Sequence, residues 1–186
     1  MKKRKTWEEY FMNIVDAAAE RSTCDRGKPG CIFVKDNQVL VTGYAGSPPG
    51  FPHCDEVGHL MEVRYSFIPI ENIDTFFKDE DPKTLGYSYN SSPESFEGPI
   101  HQHCIRTIHA EQNAIIQAAK RGISLEGSTC YVTMTPCRTC TMFIISLGVK
   151  NVVCKNFYQK AQESIIMFSE ANIPIKHLLN TTSEYS

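Results

Sequence analysis

Apolar side chains recur at helical spacing from the start of the chain. Trp7, Tyr10, Phe11, Ile14, Val15 and Ala18 make one stripe, and Thr6 with Glu9 forms a capping box ahead of it, so a helix is expected to open the fold. Two β-like runs follow near 30–35 and 38–44, and Asp36-Asn37 between them suits a tight hairpin turn. The stretch Gly43-Tyr44-Ala45-Gly46-Ser47-Pro48-Pro49-Gly50 is too rich in Gly and Pro for a regular element and is expected to be a shaped loop. Residues 62–100 show the least regular pattern and are expected to be an insertion with a short helix near 70–78. From residue 109 the pattern becomes orderly. Helices are expected at about 109–121, 136–147 and 160–171, the first two stopped by Gly122 and Gly148, with strands at 129–133, 151–154 and 174–179. Helices alternating with strands after a hairpin predict an α/β fold: a three-layer α/β/α sandwich with a mixed sheet, in one domain spanning 1–186.

Composition narrows the function classes. The chain is 41% hydrophobic and 22% charged, ordinary globular usage, and no apolar run approaches the ~20 residues of a membrane span. The basic start Lys2-Lys3-Arg4-Lys5 runs into Thr6-Trp7-Glu8-Glu9 rather than an apolar core, so a secretory signal is not expected and a cytoplasmic location is. A net charge of -2 argues against a nucleic-acid polymer as partner, while a small anionic ligand needs only one or two cations. Eight cysteines are too many to ignore, but the chain has core enough without a disulfide framework. Cys31, Cys130 and Cys154 fall inside β-like runs and are expected to be inert core thiols. Cys24, Cys54, Cys104, Cys137 and Cys140 sit beside turn residues or other ligand-type side chains and call for another role.

Two motifs supply one. His109-Ala110-Glu111 is followed by Pro136-Cys137-Arg138-Thr139-Cys140, the H-x-E and P-C-x-x-C pair of zinc deaminases acting on nucleobases. A catalytic zinc takes three protein ligands and keeps its fourth position for a water that it acidifies. Cys137 and Cys140, three apart, share a helix face; Pro136 suits the first helical position, and a helix N-terminus favours thiolates. Residues 109 and 111 of a regular helix would point about 200° apart. Both can serve one centre only if His109 lies at the point where the chain joins its helix, which predicts two helix N-termini facing each other across the metal. Glu111, not a ligand, would carry the protons.

Beyond these motifs, His103-Cys104-Ile105-Arg106-Thr107-Ile108-His109-Ala110-Glu111-Gln112-Asn113-Ala114-Ile115 resembles the active-site block of the deoxycytidylate (dCMP) deaminases. Tyr131-Val132-Thr133 and Tyr44-x-Gly46-Ser47-Pro48 resemble it too, and the likeness covers nearly the whole chain outside 62–100. The resemblance implies the cytidine-deaminase fold, conversion of dCMP to dUMP with ammonia release, and a homo-oligomer, hexamer or dimer. It also implies dCTP and dTTP as effectors. Asn113 matches an Asn associated with sugar binding. One departure stands out: Ala45 replaces the Asn usual in Gly-Tyr-Asn-Gly and its side chain cannot hydrogen-bond a nucleotide, so either another group supplies that contact or nucleotide preference and regulation differ. Ala45 and Ser47 are the substrate-site candidates of this loop.

Some relatives of this kind carry a second, structural zinc, for which Cys24, Cys54, His59, His103 and Cys104 are the candidates in this chain. For the substrate phosphate, Arg26 and Lys28 are cations beside Gly27 and Gly30, where backbone can approach closely. His177 is expected to be a half-exposed strand residue. Two other readings compete with dCMP deamination: a deaminase of dCTP or cytidine, and a catalytically silent zinc-stabilised interaction module. Glu111 speaks against the second, since a scaffold needs ligands but no proton carrier.

Overall fold

The computed structural model describes residues 4–69, 88–89, 95–158, 161–179 and 181–183, so the helix expected near 70–78 lies outside the described residues. The chain divides into two compact units, Met1–Gly58 with Arg106–Ser186, and His59–Ile105.

In the larger unit, helix α1 (Trp7–Ala19) carries the expected cap: the Glu9 N–H donates to Thr6 Oγ1 and the Glu9 carboxylate receives the Thr6 N–H. Its buried face is turned from the expected stripe. Phe11, Met12, Val15 and Ala19 point inward, while Trp7 and Tyr10 remain half exposed around Phe11. The sheet beneath explains the turn: Gly30 admits the backbone of Val15 and Ala19 and Phe11 meets Tyr131, while Asp16 pairs with Lys155 and Glu8 with Lys176 at the edges.

Strands β1 (Gly30–Lys35) and β2 (Gln38–Tyr44) form the hairpin, with Asp36 and Asn37 at φ 51° and 59°, the left-handed pair that a two-residue turn requires. The sheet continues through β6 (Thr129–Met134), β7 (Asn151–Tyr158) and β8 (Ile175–His177) in the order β2-β1-β6-β7-β8. The β1 pairings are antiparallel and those of β6, β7 and β8 parallel, so the sheet is mixed as expected. A short β9 (Thr182–Ser183) pairs with the end of β7. Helices α3 (Ala110–Lys120), α4 (Arg138–Ser146) and α5 (Ala161–Glu170) supply the connections, α3 and α4 stopping at Gly122 and Gly148 with φ 64° and 67°.

Alternation along the strands separates two cores. Ile32, Val34, Tyr131 and Val153 face α1; Cys31, Phe33, Cys130, Val132, Val152 and Cys154 face the other way, toward Ala110, Ala114, Ala118, Ile144 and Phe168. One helix on one face and three on the other complete the α/β/α sandwich.

The smaller unit is an antiparallel sheet of β3 (Met61–Pro69), β4 (Ser88–Tyr89) and β5 (Ser95–Cys104), ordered β3-β5-β4. Irregular chain was expected over much of this stretch. The overlooked signal is the strict alternation Met61-Glu62-Val63-Arg64-Tyr65-Ser66-Phe67, the period of a strand. Helix α2 (Cys54–Val57) is a single turn at the end of the Gly/Pro loop. Among the described residues, no helix is long and apolar enough to cross a membrane.

Candidate metal centre and active site

The centre is built where two helices begin. His109 is the N-cap of α3 with extended backbone (φ −70°, ψ 158°), and Cys137 is the N-cap of α4 (φ −68°, ψ 166°). Pro136 therefore precedes the cap instead of occupying the first helical position. The shift has a physical use: N-cap and third helical residue, here Cys137 and Cys140, turn their side chains toward each other. The Gln112 carboxamide receives the His109 N–H (3.0 Å), and Gly46 pairs with Ile108 just before it, so His109 is held from both sides.

His109, Cys137 and Cys140 come together with their ligand atoms within 4.8 Å of one another. The Nδ1 of His109 lies 3.5 Å from both sulfurs. Zinc–nitrogen and zinc–sulfur bonds of about 2.0 and 2.3 Å at a tetrahedral angle would separate the two ligand atoms by about 3.5 Å. The donor set therefore fits zinc in both chemistry and spacing. The Cys137 thiol is drawn down to about 4, chiefly by the hydrogen bond from the Cys140 thiol, with burial opposing and His109 adding to the fall. Cys140 is pushed up correspondingly. A thiolate ready at Cys137 is the form that binds metal.

Glu111, two residues into the same helix, is buried and electrostatically linked to His109, Cys137 and Cys140. Burial pushes its carboxyl above the ordinary range, and His109 pulls the other way. A carboxyl raised in this way holds a proton more readily than a free one, which suits a group that must take a proton up and pass it on. The thiols of Cys31, Cys130 and Cys154 lie fully buried beneath the centre; burial raises Cys31 and Cys154, which keeps them protonated and inert.

The other sequence candidates separate. Of the second-metal candidates, Cys24 and Cys54 are buried in the larger unit, while His59, His103 and Cys104 belong to the smaller one. Asn113 donates one amide proton to the Tyr44 carbonyl at 2.8 Å. Ala45 is buried, with its carbonyl taken by Thr23 N–H and Ser22 Oγ. Ser47 has a buried hydroxyl with no partner among the described residues. Arg26 and Lys28 lie in the turn ahead of β1, where Gly27 and Lys28 have φ 78° and 37°. Gly30 serves a different approach from the one expected: a Cβ there would meet Val15 O at 2.5 Å, so α1, not a ligand, takes the space.

Residues that sequence reasoning missed also shape the site. Gly43 lets α3 lie on β2, since a Cβ there would meet Ala110 O at 2.2 Å. Gln112, three residues after the N-cap, follows the capping-box pattern with His in the cap position, a signal that was available. Thr135 and His177 meet across 42 residues, which no local signal announces.

A sequence model described as the cytidine and deoxycytidylate deaminase zinc-binding region matches residues 5–156. The chain belongs to this family. ComE operon protein 2 of Bacillus subtilis is 31% identical over 175 residues, covering 94% of this chain and 72% of that protein. The deoxycytidylate deaminase of Mycobacterium phage D29 is 32% identical over 150 residues, covering 81% of this chain and 94% of its own. The crystal structure of dCMP deaminase from the cyanophage S-TIM5 in complex with dCMP and dUMP shares the fold at TM-score 0.64, with 24% identity over 95% of this chain and 100% of that one. The family is one of zinc-binding deaminases, and His109, Cys137 and Cys140 of this member suit that metal.

Proposed function

We propose that the protein hydrolyses dCMP to dUMP and ammonia, with His109, Cys137 and Cys140 as zinc ligands and Glu111 as proton carrier. The observation that carries this reading is the pair of 3.5 Å separations from His109 Nδ1 to the two sulfurs beside a buried carboxyl. The nucleotide is supported by the phage D29 relative, named a deoxycytidylate deaminase, and by the dCMP and dUMP in the S-TIM5 complex.

When bound, zinc supplies Lewis-acid activation of water at neutral pH. Glu111 takes a proton from the attacking water as its oxygen bonds to C4 of the cytosine, and delivers it to ring N3. Glu111 then takes the proton of the new C4 hydroxyl and hands it to the exocyclic nitrogen as the C4–N bond breaks, leaving a C4 carbonyl and ammonia. Ser47, next to the Gly46 that pairs with Ile108, offers its unpartnered hydroxyl to the substrate. Asn113 keeps a second amide proton for the sugar, and Arg26 and Lys28 serve the phosphate from a turn with left-handed backbone. Cys24, Cys54, His59, His103 and Cys104 are kept as the candidates for a second, structural zinc, which metal analysis would show as two zincs per chain. The whole chain is taken as one deaminase domain with an insertion at about 62–100. A homo-oligomer, hexamer or dimer, is supported by Ile116, Met142 and Phe143, which stand nearly half exposed on the two helices that begin at the metal ligands.

Ammonia release from dCMP, dCTP, deoxycytidine and cytidine by zinc-loaded protein tests the substrate. Turnover that does not depend on the monophosphate would sink the dCMP assignment. Adding dCTP or dTTP to the same assay tests them as effectors.

A further inference from the structure

The link from sheet to metal centre is short. Strand β6 ends at Met134, Thr135 and Pro136 follow, and Cys137 caps α4. Pro136 has no N–H, so the backbone anchor falls on Thr135, whose N–H donates to Asn156 O at 3.1 Å. Its buried hydroxyl receives the Tyr158 N–H at 3.3 Å and meets His177 Nε2 at 2.9 Å. A backbone N–H can only donate, so it takes one acceptor site of the hydroxyl, whose own proton is still available to the imidazole. The ring is fixed in turn, lying flat on Phe157 with centroids 3.7 Å apart and planes 9° from parallel. Burial favours the neutral imidazole, which has a nitrogen free to accept.

We propose that His177 is a positioning residue for the metal-binding turn: braced on Phe157, it accepts the Thr135 hydroxyl proton and so fixes the point from which Pro136 presents Cys137. This rests on the zinc reading of His109, Cys137 and Cys140. Partners of this kind, one step removed from a ligand, typically change metal affinity by about 10–100-fold when lost.

The test uses the full-length, zinc-loaded protein and follows zinc release to an excess of a coloured chelator, in the phase missing from a Cys137→Ser protein. His177→Phe keeps the flat ring and loses the acceptor; release about 10-fold faster is expected. His177→Gln returns an acceptor at similar reach and is expected within about threefold of wild type, the sign of a rescued hydrogen bond. Thr135→Val also takes the acceptor from the Tyr158 N–H and should release at least as fast as His177→Phe, and the double variant should release no faster than Thr135→Val alone, because the His177 bond is already gone. Wild-type release from His177→Phe, a glutamine variant as fast as the phenylalanine one, or multiplying effects in the double variant would overturn the proposal. A wild-type protein that binds no zinc at all would be a different result, overturning the functional reading and this inference with it.

Discussion

On one face of the main sheet a single helix, α1, rests on Ile32, Val34, Tyr131 and Val153 through Phe11, Met12 and Val15. On the other, α3 meets the strands through Ala110, Ala114 and Ala118, over a layer that includes three cysteines. Both faces need a glycine to let a helix down: Gly30 under α1 and Gly43 under α3. The first face is filled with large side chains and edged with two ion pairs, the economy of an element that only has to stay in place. The second uses small ones, which bring the start of a helix, with His109 at its cap and Glu111 in its first turn, close against the sheet. Under α3, small side chains thus let the start of the helix approach the sheet, whereas α4 packs on the same face through Ile144.

Perturbing one face at a time should divide stability from turnover. The largest effect is expected from Glu111→Gln, which keeps the shape and removes the proton carrier. Turnover should fall by up to about 10⁴-fold, near 5 kcal/mol of barrier, with zinc content unchanged. Ammonia release and metal analysis on one preparation check this; turnover within threefold of wild type would refute the role. Opposite it stands Phe11→Ala, which empties the α1 core and should lower unfolding free energy by about 3–5 kcal/mol. In urea titrations the midpoint should drop, while kcat of the folded fraction stays near native. A tenfold loss of kcat would mean that the α1 face shares in the chemistry.

The two glycines offer a matched pair. Adding a methyl at either crowds a helix backbone, at 2.5 Å from Val15 O for Gly30 and 2.2 Å from Ala110 O for Gly43. Each alanine variant should lose about 1–3 kcal/mol of stability. Only Gly43→Ala should also slow turnover, by about 100-fold, because it displaces the helix start that carries His109 and Glu111. Equal kcat in the two variants would remove the distinction between the faces.

What could be foreseen from the chain alone divides along the same physical line. The Thr6–Glu9 cap, the Asp36-Asn37 turn and the glycine stops at 122 and 148 are decided within a few residues, and the structure has each where the pattern puts it. The P-C-x-x-C spacing and His109-Ala110-Glu111 are local in the same sense, so the ligand types could be picked out. Their 3.5 Å separations depend on β6 lying beside β1 and β1 beside β2, the strand that α3 covers, and no motif contains that. The turn of α1 was illegible because it depends on what the helix meets, Gly30 on β1 and Tyr131 on β6, which no local pattern contains. Likewise Gly30 beside two cations looks like a ligand approach until α1 is seen to occupy it.

The ion pairs should matter least. Lys155 Nζ lies 2.8 Å from both carboxylate oxygens of Asp16, but the two side chains keep 33% and 43% of their surface exposed. Water and salt screen such a pair, so its contribution should be about 0–1 kcal/mol. Asp16→Asn keeps the shape and tests the charge alone; the urea midpoint should move slightly in low salt and hardly at all in high salt. Lys155 follows Cys154 on β7, and successive strand residues point to opposite faces, so the lysine belongs to the α1 side while the cysteine lies under the metal centre. Turnover of Asp16→Asn should therefore equal wild type at every salt concentration. If it falls with the charge, the sheet does not insulate its two faces, and the small side chains under α3 need another explanation.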